Sequence, residues 1–282
     1  MLKLPFMKLC FLCLSLLIVF STVQAQVKFP SPSPEQTIHQ EFGLSSIDIS
    51  YSRPSVKGRK IFGDLVPYDK AWRTGANGPT IITFGDEVII GGKTISPGKY
   101  GFIAIPGKTS WTLVVTKQLD IVSSADYKPE NDVVRVSCKP VTLSNKLETF
   151  TMQFENFTAS SCELSLTWEK TAVALPIKTE IDKKVMEGID KAMSENDPPY
   201  FQAAYYYFSN NKDLHKAEEW AKKATEKNPD AYYMFYLLAE IQAKNGKKED
   251  ALASANRSIE LSRQNKRDDY IDLNNKLIKS LK

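Results

Sequence analysis

The sequence, 282 residues long, has little histidine and little cysteine. Its two histidines are His39 and His215, and two of its four cysteines, Cys10 and Cys13, sit near the N-terminus. Zinc centres and nucleophilic triads both lean on imidazole. The two histidines are too far apart for local spacing to join them, and after the first 25 residues no His-x-x-His or Cys-x-x-Cys pair occurs. This inventory argues against a zinc enzyme and a histidine-dependent hydrolase, and no metal or organic cofactor is expected. Phosphate loops are lacking as well. Neither Gly75-Ala76-Asn77-Gly78 nor Gly91-Gly92 leads into Gly-Lys-Ser/Thr and a helix, so both read as turns. A strong charge excess is also missing. The formal charge is +4, without the concentrated basic face that a nucleic-acid partner requires.

Long apolar runs are absent after the first 25 residues. Within them, Lys3 and Lys8 precede an apolar run from Leu9 to Phe20, and Val23-Gln24-Ala25 supplies cleavage-site chemistry. Residues 1–25 are therefore predicted to be a signal peptide, cut after Ala25. Cys10 and Cys13 suggest a lipoprotein instead, but each lies inside the apolar region without small residues before it. The mature chain is expected in the periplasm or outside the cell, with no stable membrane anchor. Only Cys138 and Cys162 remain there. Each is in phase with the apolar side of its strand. If segments 133–139, 148–154 and 162–168 form a simple meander, the two cysteines lie roughly 9.5 Å apart, too far for a disulfide. A Cys138–Cys162 bond requires another strand order or a pairing across two sheets; two buried thiols are the alternative.

Hydrophobic residues make up 42% and charged residues 25%, values of a globular chain with room for two domains. Residues 26–41 are a Pro/Ser-rich lead-in, predicted to be extended and solvated. From 42 to 175 the hydrophobic pattern has period two. Turn pairs such as Gly85-Asp86, Gly91-Gly92, Pro97-Gly98 and Pro106-Gly107 separate eight or nine short strands. Such spacing predicts an antiparallel β-sandwich or barrel. From 179 to 282 the period becomes helical. Thr179 is placed to cap a first helix, Asp197-Pro198-Pro199 ends it, and five more helices follow. Asp213 and Asp230 are the expected N-caps and Gly246 a C-terminal stop. Ala217 and Ala251 lie 34 residues apart, and aligning on them pairs Phe201 with Phe235 and Ala204 with Leu238. This period of paired helices resembles the tetratricopeptide repeat, without its full motif.

A second resemblance covers about residues 27–170. It is carried by Ser50-Tyr51-Ser52-Arg53-Pro54-Ser55-Val56-Lys57-Gly58-Arg59-Lys60-Ile61-Phe62-Gly63, Val66-Pro67-Tyr68 and Trp72-Arg73-Thr74-Gly75-Ala76-Asn77. Ile89-Ile90-Gly91-Gly92, Pro97-Gly98-Lys99-Tyr100 and Trp111-Thr112 complete it. The stretch resembles a bacterial family known as domain of unknown function 2911. That resemblance implies a secreted β-domain. It implies no activity and no catalytic residue.

The densest set of recognition-type residues lies at 51–77. Arg53, Arg59, Tyr68, Trp72, Arg73 and Asn77 are the candidate ligand-binding residues, because guanidinium, ring and amide together suit a sugar or carboxylate. A structural reading stands beside it: Arg73 pairs with Asp64 or Asp69, Trp72 plugs the sandwich, and Asn77 satisfies loop backbone. In the helical part, Tyr200, Phe201, Tyr205–Phe208 and Tyr232, Tyr233, Phe235 and Tyr236 are dense enough to fill a core and still line a peptide groove. The leading expectation is an exported, non-enzymatic binding protein. Its β-domain takes a small polar ligand or envelope component, and its helices contact a protein or peptide. One alternative is a glycan-directed hydrolase using carboxylates among Asp64, Asp69, Asp86 and Glu87. Another is a structural envelope assembly factor.

Overall fold

The computed structural model describes residues 29–281, so the proposed signal peptide and its cleavage point lie outside the described residues. The chain divides after Thr179 into two compact units. Among the described residues, no helix is long and apolar enough to cross a membrane.

Among the described residues, the first unit is built of ten strands. They are β1 (Glu35–Phe42), β2 (Ser45–Ser52), β3 (Ile81–Phe84), β4 (Val88–Ile90), β5 (Lys93–Ile95), β6 (Gly98–Ile105), β7 (Trp111–Thr116), β8 (Asp132–Cys138), β9 (Val141–Glu155) and β10 (Ser161–Lys178). They form two antiparallel sheets, ordered β1-β2-β3-β6-β7-β8 and β5-β4-β10-β9. Neither sheet closes on itself, so the barrel option falls. Ile47 and Ile49 of β2, Phe102 of β6 and Leu113 of β7 share one buried core with Phe150, Leu164 and Leu166 from the other sheet. Each such side chain contributes about 1.5–3 kcal/mol by leaving water.

Three features depart from the pattern expected of the sequence. Strand β1 occupies residues 35–42, most of them in the stretch expected to be a solvated lead-in; it pairs fully with β2, from Glu35↔Ser52 to Phe42↔Ser45. His39 is thus a cross-strand partner of Asp48, at 2.6 Å. Strand β10 runs on to Lys178, through the expected interdomain joint. Its pairing with β9 shifts between Thr167 and Thr171, where Glu169 has φ +55°. Buried hydrophobic residues before the shift are even-numbered (Leu164, Leu166, Trp168), and those after it are odd-numbered (Val173, Leu175, Ile177). A bulge of this kind moves the apolar set onto the opposite phase. Thr179 does not cap a helix. Its hydroxyl donates to the Glu87 carbonyl at 3.1 Å, beside the point where β10 meets β4.

Cys138 and Cys162 are separate buried thiols, one in each sheet. The meander assumed for them does not form, because β8 belongs to the first sheet and β9 to the second. Burial raises the pKa of the Cys138 thiol. Burial and the neighbouring Glu163 raise that of Cys162 to about 11, which leaves both as inert protonated thiols.

The second unit holds six helices: α1 (Asp182–Ala192), α2 (Tyr200–Ser209), α3 (Leu214–Lys227), α4 (Tyr232–Lys244), α5 (Lys248–Gln264) and α6 (Asp268–Ser280). Asp213 caps α3, its carboxylate accepting from the His215 and Lys216 amides at 2.9 and 3.1 Å. Asp230 caps nothing. The N-cap of α4 is Ala231, and the Asp230 carboxylate lies 3.9 Å from Arg257 instead. Gly246 follows the end of α4 at φ +75°. Its amide donates to Ala243 and the Lys247 amide to Gln242, which closes the helix with two bonds that a left-handed residue permits. Ala204, Ala217, Ala239, Ala251 and Ala255 are fully buried, and such small side chains let adjacent helices approach closely. Glu218, 2% exposed, ties the unit together: it meets Lys222 and Lys247 at 2.9 Å and Asn245 at 2.8 Å.

Candidate functional site

The stretch between β2 and β3 has little regular structure but is tightly determined. Lys57, Asp69, Thr74 and Asn77 all have left-handed backbone, at φ +47°, +60°, +57° and +58°. Such a conformation is uncommon outside glycine and is an outlier for a β-branched residue such as threonine. Thr74 is held there by its hydroxyl, which donates to the Trp72 carbonyl at 3.1 Å, and by the Thr80 hydroxyl, which donates to the Thr74 carbonyl at 2.9 Å.

Trp72 sits at the centre. Its amide and carbonyl exchange hydrogen bonds with Ala104 of β6 at 2.8 and 3.0 Å, and its indole donates to the Gly75 carbonyl at 3.0 Å. The ring stacks on Trp168 with centroids 5.8 Å apart and planes 17° apart. Phe62 and Phe150 meet the same ring edge-on. The bulge after Trp168 belongs to this arrangement, since it ends one apolar run of β10 with that indole turned inward.

A hollow of about 650 Å³ opens over this aromatic pair. Trp72, Trp168, Leu65, Val66 and Pro67 give it apolar walls, while Arg59, Lys70 and Arg73 bring three cations and Ser33, Ser123 and Ser124 three hydroxyls. No carboxylate and no histidine is among its lining residues. Arg73 donates through Nη1 to the Val122 carbonyl, and its Nε is buried without a partner. The turn that carries Val122, Ser123 and Ser124 is folded around Asp126, whose carboxylate accepts from the Ser123 and Val122 amides at 2.7 and 3.2 Å. The hydrogen bonds from Ser123 hold that carboxyl below the usual range.

The six expected residues separate. Trp72, Arg73 and Arg59 line the hollow. Arg59 also closes its own turn, donating to the Val56 and Ser55 carbonyls at 3.0 and 2.6 Å. Arg53 points elsewhere and clamps β9 through the Phe150 carbonyl and the Thr151 hydroxyl, at 3.0 and 2.7 Å. Tyr68 packs against Gly63, where an added Cβ would fall 2.5 Å from its ring. Asn77 pins the N-terminal segment, donating to the Ser33 carbonyl at 3.0 Å. Neither Asp64 nor Asp69 pairs with Arg73; a backbone carbonyl takes that place. Lys70 and Trp168 were missed. Lys70 lies inside the stretch singled out but carries no aromatic or planar signal, and Trp168 reads as plain core because it alternates with Leu164 and Leu166.

Chemically, the hollow attracts an anion and offers aromatic surface. The Ser123 hydroxyl is bonded to the Asp126 carboxylate, which does not itself line the hollow, and Asp64, Asp69, Asp86 and Glu87 are not among the lining residues. Among the described residues, no group of three or more His, Cys, Asp or Glu side chains is spaced to hold a metal ion.

The helical unit carries a second candidate surface. Phe201 of α2 meets Tyr233 of α4 at 5.2 Å, and Tyr232 and Tyr236 of α4 meet Tyr270 of α6 at 4.8 and 5.7 Å. Tyr205 stacks on Phe201 and is 57% exposed. Arg267 caps the Tyr232 and Tyr270 rings at 5.3 and 5.4 Å. Tyr207 instead lies in the helical core.

Fold and hollow together define a two-sheet β-domain with a cation-lined hollow, followed by a helical unit. Residues 33–177 match the family described as Protein of unknown function (DUF2911), and the chain belongs to that family. No curated protein matches the chain. No solved structure matches it either.

Proposed function

We propose that this is an exported, non-enzymatic binding protein whose two sheets form a β-sandwich presenting the hollow at Trp72 and Arg73 to a small polar ligand. The observation that carries the proposal is the hollow itself. Its volume is in the range of small-molecule sites, its walls are mostly apolar, and a few polar groups converge on it. The loop that builds it is over-determined by hydrogen bonds, which keeps the site formed before a ligand arrives. The hydrolase alternative gains no support there, since the four carboxylates it needs lie outside the lining. Ser124 is exposed on the rim, so Ser124→Trp fills the mouth without disturbing the core. A fragment mixture observed by saturation-transfer NMR is expected to contain binders that the wild type retains and Ser124→Trp loses. An unchanged set of binders, or none on the wild type, would falsify the proposal.

We further infer that the helices form a tetratricopeptide-like array, with α2–α3 and α4–α5 as two repeats and α6 as the closing helix, that contacts a protein or peptide. The buried Ala217 and Ala251 at matching positions support this, as does the aromatic row running from Tyr205 to Tyr270. Tyr205 departs from the pattern, being exposed where its counterpart Ala239 is fully buried. Peptide-array binding that survives Tyr205→Ser combined with Tyr233→Ser would sink this reading. Export to the periplasm or medium rests on the leader-like residues 1–25. A mature protein beginning at Gln26 is expected, and a retained Met1 would overturn it.

A further inference from the structure

We infer that the ligand of the hollow is an organic anion, an oxyanion joined to a flat apolar body, and that Lys70 is the residue that selects its charge. This deepens the binding proposal above and rests on it. The charge pattern carries the first half. Arg59, Lys70 and Arg73 line the hollow and no carboxylate does. Among the described residues, none of the three cations forms an ion pair. Arg59 and Arg73 spend their bonds on the carbonyls of Ser55, Val56 and Val122, which satisfies donors without cancelling charge. Among the described residues, Asp126 is the one carboxylate bonded to these lining residues, and three cations outnumber it, so the field in the hollow stays net positive.

The three cations differ in freedom. Both guanidiniums are anchored by their carbonyl bonds. The Lys70 ammonium has no hydrogen-bond partner among the described residues and stands exposed at the hollow. It is the one cation that can turn all its donors toward a ligand. The Ser124 hydroxyl, also in the lining, adds a neutral donor suited to a remaining oxygen of the same group, while that of Ser123 is taken by Asp126. The ligand's body follows from the aromatic residues of the lining. Trp72 lines the hollow partly exposed and is backed by the nearly parallel, buried Trp168, and a flat apolar group is the shape that such a supported ring accepts best.

Equilibrium dialysis of the full mature chain tests this with matched probes: 2-naphthoate against 2-naphthamide, and 2-naphthyl phosphate against 2-naphthol. Each anion is expected to bind at least about tenfold tighter than its neutral partner, as a charge-assisted hydrogen bond provides. The Lys70→Met variant is expected to lose most of that preference while holding the neutral probes as before. The naphthoate and phosphate arms show which oxyanion fits better. Equal binding of anion and neutral partner would leave the hollow a binding site but overturn the anionic assignment. A preference that persists in Lys70→Met would overturn the role of Lys70. Acetate or inorganic phosphate binding as tightly as the naphthyl probes would overturn the flat body. No binding of any probe by the wild type would count against the hollow as a site, and the inference would fall with it.

Discussion

The cations of the helical unit and those of the loop between β2 and β3 are used in opposite ways. In the helices, Lys212, Lys222, Lys223, Lys227, Lys247, Arg257 and Arg267 each pair with a carboxylate. In the loop, Arg53, Arg59 and Arg73 bond to carbonyl or hydroxyl oxygens, and Lys70 bonds to none of the described residues. The difference follows from backbone chemistry. A helix satisfies its own amides and carbonyls except at its ends, so its side-chain charges find one another across one turn or between helices. An irregular loop leaves carbonyls unsatisfied, and the planar fork of arginine serves them well. The first arrangement neutralises charge; the second fixes the backbone and keeps the charge.

The sharpest test is whether the loop's aromatic centre is scaffold. Of the two readings the sequence offers for Trp72, ligand contact or plug of the sandwich, its stacking on Trp168 and pairing with Ala104 support the second. Trp72→Ala is expected to destabilise the first unit by about 3–5 kcal/mol, the range for deleting a large packed ring. Urea unfolding of the whole chain, followed by hydrogen exchange in β6 and β10, measures it. A change under about 1 kcal/mol would show that the loop floats free of the core.

The helical side of the comparison turns on Glu218. Burial pushes its carboxyl up, but hydrogen bonds from Lys222, Lys247 and Asn245 outweigh this and hold its pKa at about 2. A carboxyl lowered in this way binds fewer protons when folded than when unfolded. Its stabilisation is therefore complete above the ordinary value of 4.5 and lost as pH falls from there through about 2. Glu218→Gln is expected to cost about 2 kcal/mol at neutral pH, the range for hydrogen bonds to a charged group after allowing for lysines that stay partly solvated. The gap between variant and wild type should narrow as pH falls below 4.5 and close only near about pH 2, the window set by this shift. A gap that stays constant across the acid range would mean that Glu218 acts through packing, and the contrast between the two units would lose its electrostatic basis.

How much of this was legible in the sequence depended on whether a residue's signal was local. The turn pairs separated the strands correctly, and Asp213 and Gly246 marked helix ends because capping is decided within a few residues. Strand β1 was hidden because its faces are largely polar, with Ile38 and Phe42 its only large apolar groups, and because Pro/Ser-rich residues precede it. The last part of β10 was hidden by the bulge, which breaks period two without breaking the strand. The hollow was half legible. Trp72, Arg73 and Arg59 stood out by type, but no local rule says that Arg53 turns to β9 or that Asn77 turns to Ser33. Trp168 reaches the hollow from nearly a hundred residues away. Only the pairing of the sheets brings it there.

The smallest expected effect divides the two kinds of lysine most cleanly. Lys247 meets Glu218 at 2.9 Å, and Lys247→Met should cost about 1 kcal/mol by leaving that buried carboxylate with one cation fewer. Lys70 meets no carboxylate, so Lys70→Met should change stability by less than about 0.5 kcal/mol, as surface substitutions away from packed features do. Side-by-side thermal unfolding of the two variants measures the difference. If Lys70→Met costs as much as Lys247→Met, the lysine is part of the loop's scaffold and its charge is already committed. If Lys70→Met is stabilising, the three cations of the hollow repel one another. Relief of that repulsion is then the free energy that an anionic ligand would gain on entering.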